Sequence, residues 1–144
     1  MNRHSTIRKI FLTFASLCLL GLYVPNALAQ LPAKDNAAES LRSARTIHVK
    51  SSSVLVGASV VEAKLQKRAE FSQLGLAITR DPEVADLILE LEHDVFTKYV
   101  YTAIDRRTNI VVASGKLSSL GGTVAGKVAK RFLKQVMKAR ATGP

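Results

Sequence analysis

Glu90, Glu92 and Asp94 alternate along one apolar segment, so an extended chain would set three carboxylates on one face. Such a row could hold a hard cation or divide acid and base work. A metal site, however, needs further oxygen or imidazole ligands converging from other segments. His48 and His93 show no ligand spacing to each other or to these acids, and the only cysteine, Cys18, lies far upstream. Lys98 is the expected cation partner of Glu92, and the residues favour a solvated, charge-paired strand face with both histidines at its rim. Serines are frequent, but none occupies Gly-x-Ser-x-Gly or another nucleophile setting.

Gly121-Gly122-Thr123-Val124-Ala125-Gly126-Lys127 matches the glycine and lysine spacing of a phosphate-binding loop. Val128 stands where magnesium needs a hydroxyl, and only 17 residues follow Lys127. The glycines are read as a flexible strand-to-helix turn. No catalytic, cofactor-binding or metal-binding residue is assigned, and no cofactor is expected. An envelope hydrolase or metal enzyme is the disfavoured alternative; it would need Glu90, Glu92 and His93 gathered in one pocket.

The remaining chemistry is cationic. At 100° per residue, Lys127, Arg131, Lys134 and Lys138 fall within about 40° of one direction. Ala125, Val128, Ala129, Phe132, Leu133 and Val136 occupy the opposite side. The apolar stripe is a core face. The basic stripe is a wet face or a contact for an anionic membrane or wall polymer. Nucleic acid is disfavoured, because no aromatic residues interleave with the cations.

Periodicity supplies the elements that would position these groups. Thr46 to Lys50 alternates as a half-buried strand. Ser59-Val60-Val61-Glu62 fits a capping box, predicting a helix over Val60–Ala69 with Val61 and Leu65 inward. Phe71 and Leu74 should close over it before Gly75 breaks the chain. Leu76–Thr79 reads as a short strand, and Asp81-Pro82-Glu83 as an N-capped turn. Leu87–Glu92, Phe96–Ile104 and Ile110–Lys116 read as strands, with a polar turn over Asp105–Asn109. A helix follows over Thr123–Lys138. The order is β-α-β-β-β-β-α: an α+β two-layer sandwich, mostly antiparallel, with two helices on one sheet face.

A hairpin pairing Glu92 with Lys98 would set Leu91 opposite Tyr99 and Leu89 opposite Tyr101. One face would then carry Leu87, Leu89, Leu91, Tyr99, Tyr101 and Ala103 beneath the helices. The other would receive Ile88, Val100, Thr102 and Ile104, joined by Ile110 and Val112. A solvated back should be mostly polar. This one is more apolar, either as β-branched filler or as a protein interface covered by a partner, a second copy or the segment 30–44.

The chain has 144 residues and a formal net charge of +10. Residues 1–29 read as an export signal: Arg3, His4, Arg8 and Lys9, then an apolar run from Ile10 to Val24, then Ala27-Leu28-Ala29 before Gln30. The apolar run is about 15 residues, short of a bilayer span. Cleavage between Ala29 and Gln30 would leave about 115 residues with a charge of about +7. Leu17 before Cys18 breaks a lipobox, so lipidation is not expected. The mature chain would have no cysteine and no Asn-x-Ser/Thr acceptor, which favours a bacterial periplasm or secretion. Gln30–Ala44 is expected as a flexible linker, and 45–140 as a single domain.

Ala85-Asp86-Leu87-Ile88-Leu89-Glu90-Leu91, the stretch from Ala103 through Asp105-Arg106-Arg107-Thr108 to Gly115, and the terminal helix resemble a group of bacterial envelope accessory domains. These include the N-terminal domain of the Tol-Pal translocation protein TolB and the periplasmic domains of curli-secretion and penicillin-binding-protein-activator lipoproteins. The resemblance spans about Thr46 to Met137. It implies an alanine–aspartate step opening a central strand, an Asp-x-x-Thr turn between meander strands, and a non-enzymatic binding role. The expected function is thus an exported, non-catalytic binding or assembly module, with an envelope protein or a second copy as partner.

Overall fold

Leu87, Leu89 and Leu91 alternate as buried apolar residues along the strand Leu87–His93, which is the centre of the fold. The computed structural model describes residues 33–119 and 123–142. The expected signal, its Ala29–Gln30 junction and the Gly121-Gly122 pair lie outside the described residues.

The elements are α1 (Ala33–Ser43), β1 (Thr46–Ser51), α2 (Ala58–Gln66), α3 (Ala69–Gln73), β2 (Ala77–Ile78), a single 3₁₀ turn (Pro82–Val84), β3 (Leu87–His93), β4 (Lys98–Asp105), β5 (Ile110–Ser118) and α4 (Val124–Ala141). The sheet order is β2-β1-β3-β4-β5. β3, β4 and β5 form an antiparallel meander. β1 runs parallel to both β2 and β3, because the chain returns to each through helical crossovers. The α+β two-layer sandwich is as expected, with a mixed rather than mostly antiparallel sheet. Leu87, Leu89, Leu91, Tyr99, Tyr101 and Ala103 are almost wholly buried and face one cluster containing Leu41, Val61, Leu65, Phe71 and the apolar stripe of α4.

Four expectations need correction. The segment 30–44 is not a linker where it is described: Ala33–Ser43 is helix, with Leu41 and Ala44 buried and α1 packed on α4 and β5. Ala37, Ala38 and Leu41 fall at helical spacing and no Gly or Pro interrupts them, so tertiary burial makes a helix of it. The capping box is not used. Ser53 Oγ accepts from the Leu55 and Val56 amides, Val56 is anchored in the core, and the chain enters α2 through Gly57. Glu62 instead is buried and pairs with Arg80 at 3.0 Å.

The β3–β4 register is displaced by two residues. The chain turns over Asp94–Thr97 with Phe96 at φ +52°, and the Asp94 amide donates to the Lys98 carbonyl. β4 therefore begins at Lys98, Glu92 lies opposite Val100, Leu91 opposite Tyr101, and Leu89 opposite Ala103. A shift of two preserves the faces, so the core assignment survives. The fourth correction is a β-bulge between Ala103 and Ile104. It places Val111 opposite Ile104 and Ile110 opposite Asp105. Val111 thus joins the back of the sheet. Ile110 sits on the helix side beside Asp105, and Val112 packs against the core.

Candidate functional site

A polar cavity of about 230 Å³ at one end of the sheet is lined by Ser40 and Ser43 of α1, by Ala85, Asp86 and Asp105, and by Arg107. Its two carboxylates were expected only as strand-opening and turn residues. Asp86 Oδ2 accepts from the Arg45 amide at 2.8 Å, the Thr46 amide at 2.9 Å and the Thr46 hydroxyl at 3.0 Å. It ties the start of β3 to the start of β1. Asp105 Oδ1 accepts from the Arg107 amide at 2.9 Å and the Thr108 amide at 3.0 Å, closing the β4–β5 turn. Asn109, at φ +56°, completes that turn.

Burial raises the Asp86 carboxyl, but the Arg45 and Thr46 donors and the Arg107 charge outweigh it and hold it below its ordinary value. Burial likewise raises Asp105, and Ser40, Thr108 and Arg107 pull it below. A carboxylate held ionised in this way is a poor general acid near neutral pH. The Ser40 hydroxyl donates to the Asn36 carbonyl, and Ser43 to that of Glu39. These are the bonds of a structural joint.

The acidic row does not converge. Glu90 pairs with Lys50 of β1 at 3.1 Å, Glu92 is exposed, and His93 points to the other face. The His93 ring packs on Tyr99 with centroids 4.7 Å apart and bonds the Phe96 carbonyl. His48 Nδ1 lies 3.2 Å from the Thr79 carbonyl oxygen. Lys98 is not the partner of Glu92, a consequence of the displaced register. Among the described residues no three His, Cys, Asp or Glu side chains gather where they could hold a metal ion.

The basic helix does something that its sequence does not show. The Ser119 amide donates to the Thr97 carbonyl, which sets the phase of the β4–β5 ladder. By alternation, Ser114, Lys116 and Ser118 direct their backbone groups to the free edge of β5. Lys127 Nζ donates to the Ser118 carbonyl at 3.4 Å and to Ser119 Oγ at 3.0 Å. Arg131 donates to the Lys116 carbonyl, and Gln135 Nε2 to that of Ser114 at 3.1 Å. Four helical residues rise about 6 Å and two strand residues about 6.7 Å, so one row of side chains can follow one row of edge carbonyls. Two of the four predicted stripe cations, Lys127 and Arg131, are therefore latched to the edge strand, and Lys134 and Lys138 remain outward. This row helps shield an edge that would otherwise invite strand pairing. Tyr101 donates from its hydroxyl to Gln135 Oε1 at 3.0 Å, and burial pushes that phenol up, with Arg131 opposing.

Helix α4 carries Lys127, Lys130, Arg131, Lys134, Lys138 and Arg140, and no acid. None of these six joins an ion pair among the described residues. Arg140 turns inward to the Leu74 and Ala44 carbonyls.

The back of the sheet is open among the described residues, because the helices pack on the other face. Cross-strand pairing arranges it in rows: His48–Ile88–Ile104–Val111, then Lys50–Glu90–Thr102–Ser114, then Glu92–Val100–Lys116. Ile88, Val100, Thr102 and Ile104 are half-buried by their neighbours alone, and Val111 is exposed. Two further exposed apolar pairs, Val54-Leu55 and Val95-Phe96, cap the loops that leave β1 and β3 at one end of the sheet. Sequence reasoning placed Phe96 in a strand.

No family model matches the chain, and no curated protein matches it. Among solved structures, a point variant of the PelC dodecamer from Paraburkholderia phytofirmans is similar at 14% identity and a TM-score of 0.41, over 65% of this chain and 88% of that one. The PelC dodecamer itself is similar at 14% identity and a TM-score of 0.35, over 67% of this chain and 88% of that one. Overlaps this loose transfer neither partner nor function.

Proposed function

We propose that this chain is exported and works as a non-catalytic binding or assembly module of the bacterial envelope, docking protein on the open face of its sheet. The observation that carries the reading is the apolar back of a sheet whose described helices lie on the other side. One internal occupant is removed by α1, which packs with the helices instead of crossing the back. The resemblance to envelope accessory domains and the export signal agree with this role. The donors on Asp86 Oδ2 and Asp105 Oδ1, which help hold both carboxyls below their ordinary values, argue against a general-acid role in the polar cavity. A photo-crosslinking residue at Thr102, on the open face, should give protein adducts in intact envelopes. The same residue at the exposed Lys64 of α2 should not. Equal yields at both sites, or none at Thr102, would end this reading. The exported species should begin at Gln30, and Ala29→Asp should block its processing.

The charge distribution favours a second reading. Nearly all of the mature chain's expected surplus sits on α4, whose outward cations Lys130, Lys134 and Lys138 suit an anionic membrane or wall polymer. Sedimentation with anionic vesicles should then fall steeply with added salt and with Lys134→Glu/Lys138→Glu. Salt-independent binding would overturn it.

A further inference from the structure

The open face is self-complementary, and we infer that it is covered by a second copy of this chain in a two-fold, face-to-face dimer whose axis runs along β4. This rests on the open face being the working surface and names its occupant. Among β3, β4 and β5 the β4 residue of each row is the middle one, and β1 extends the first two rows beyond β3 with His48 and Lys50, which this axis leaves outside the contact. A two-fold axis along β4 exchanges the two sides and keeps each row at its own level. Val100 then meets its own copy, while Glu92 lies over Lys116 of the partner subunit and Lys116 over the partner's Glu92.

Glu92 and Lys116 are both exposed, neither joins an ion pair among the described residues, and a whole strand separates them within one copy. The symmetry thus supplies each charge with the partner it lacks. The Ile88–Ile104–Val111 row meets an identical apolar row, and its side chains leave water together. The other in-plane axis, across the strands, is excluded by the same chemistry. It would lay Glu92 over the partner's Ile88 and bury a charge on a hydrocarbon. Aligned sheets pack at about 30°, which fits an axis along the strands.

Three strands by three rows span roughly 300 Å² per copy in projection, well below the ~800 Å² per partner of a standard interface, so the contact belongs with the weak, transient ones. The dimer should therefore be weak, with a dissociation constant in the micromolar range. Lys98, one row beyond Val100 on the same face of β4, lies on the axis over the partner's Lys98, and the two long stems must part to carry their like charges to solvent at the rim.

The test is sedimentation velocity of the exported protein across the micromolar range. The wild type should dimerise reversibly. Glu92→Lys and Lys116→Glu should each weaken the dimer at least tenfold, since each sets like charges together at two symmetric places. Mixing the two variants should restore association as a heterodimer, because both contacts then pair opposite charges. A structural role for either residue would not produce that rescue. A wild type that stays monomeric, a dimer indifferent to both changes, or variants that fail to rescue each other would overturn the inference. If the wild type is monomeric yet Thr102 crosslinks to a different protein, the docking face stands and the second copy falls. If Thr102 gives no adduct at all, both fall.

Discussion

The two faces of one sheet answer to different demands. On the helix side, Leu89 and Ala103 are 0% exposed and Tyr101 is 1% exposed, each held among side chains from several elements. On the open side, Ile88, Val100 and Ile104 are apolar without any cover from the described chain. Packing explains the first set completely. It does not explain the second, because a stable meander needs only strand-forming residues there, and threonine would serve as well. That apolar row is the feature on which the proposed docking face rests.

The comparison is most easily broken on its buried side. Leu89→Ala should destabilise the domain by about 2–5 kcal/mol, as cavity-forming changes in a core do. Thermal or urea unfolding would measure it, and a loss below about 1 kcal/mol would mean that the helix layer is far looser than its burial indicates.

Gly115 comes next. It lies opposite Tyr101, and a Cβ there would stand 2.6 Å from the tyrosine ring. Gly115→Ala should cost about 1–3 kcal/mol by displacing the ring, and with it the Tyr101–Gln135–Ser114 chain of bonds to the edge strand. Tyrosine fluorescence should change together with stability. A neutral substitution would show that the ring has room that the structure does not give it.

Acid should loosen the end of the sheet where Asp86 ties β3 to β1 and Asp105 closes the β4–β5 turn. Asp86 and Asp105 are both held below their ordinary values in the folded state. For a carboxyl lowered on folding, the stabilisation is fully present above its unfolded pKa of about 4 and is lost as pH falls through the lower folded value. Stability should therefore be level between about pH 5 and 7 and fall below pH 4. Asp105→Ala should flatten part of that fall and cost about 1–3 kcal/mol at neutral pH, because the Arg107 and Thr108 amides lose their acceptor. Unchanged acid sensitivity in Asp105→Ala would assign the transition elsewhere.

Local pattern made much of this architecture legible. The alternation of Leu87, Leu89 and Leu91 identified the central strand and its buried face, and the Asp81–Glu83 cap opened its turn as expected. What escaped was decided by partners distant in sequence or by single-residue counts. Nothing local distinguishes a four-residue turn from a longer one at Phe96, so the register moved by two. The bulge at Val111–Val112 depends on β4 lying alongside. Helix α1 has little apolar surface of its own and forms because Leu41 and Ala44 reach the core. The basic stripe was visible as charge, but its hold on the β5 carbonyls required knowing which strand is at the edge.

The smallest effect gives the sharpest comparison, because it concerns two neighbouring valines. Val111 is 53% exposed on the open side, while Val112 is packed against the core. Without the bulge, strict alternation would have reversed them. Threonine keeps the branched shape and strand preference of valine and replaces one methyl by a hydroxyl. Val111→Thr should leave stability within about 0.5 kcal/mol of the parent, since its side chain already meets water. Val112→Thr should cost more, about 1 kcal/mol or above, because the new hydroxyl is driven toward an apolar cluster. In the dimer the order inverts: Val111→Thr weakens association and Val112→Thr leaves it alone. If the larger loss of stability fell on Val111, the bulge would be misplaced. Ile110 and Val112 would then return to the open face, and the row that the second copy is meant to cover would be a different one.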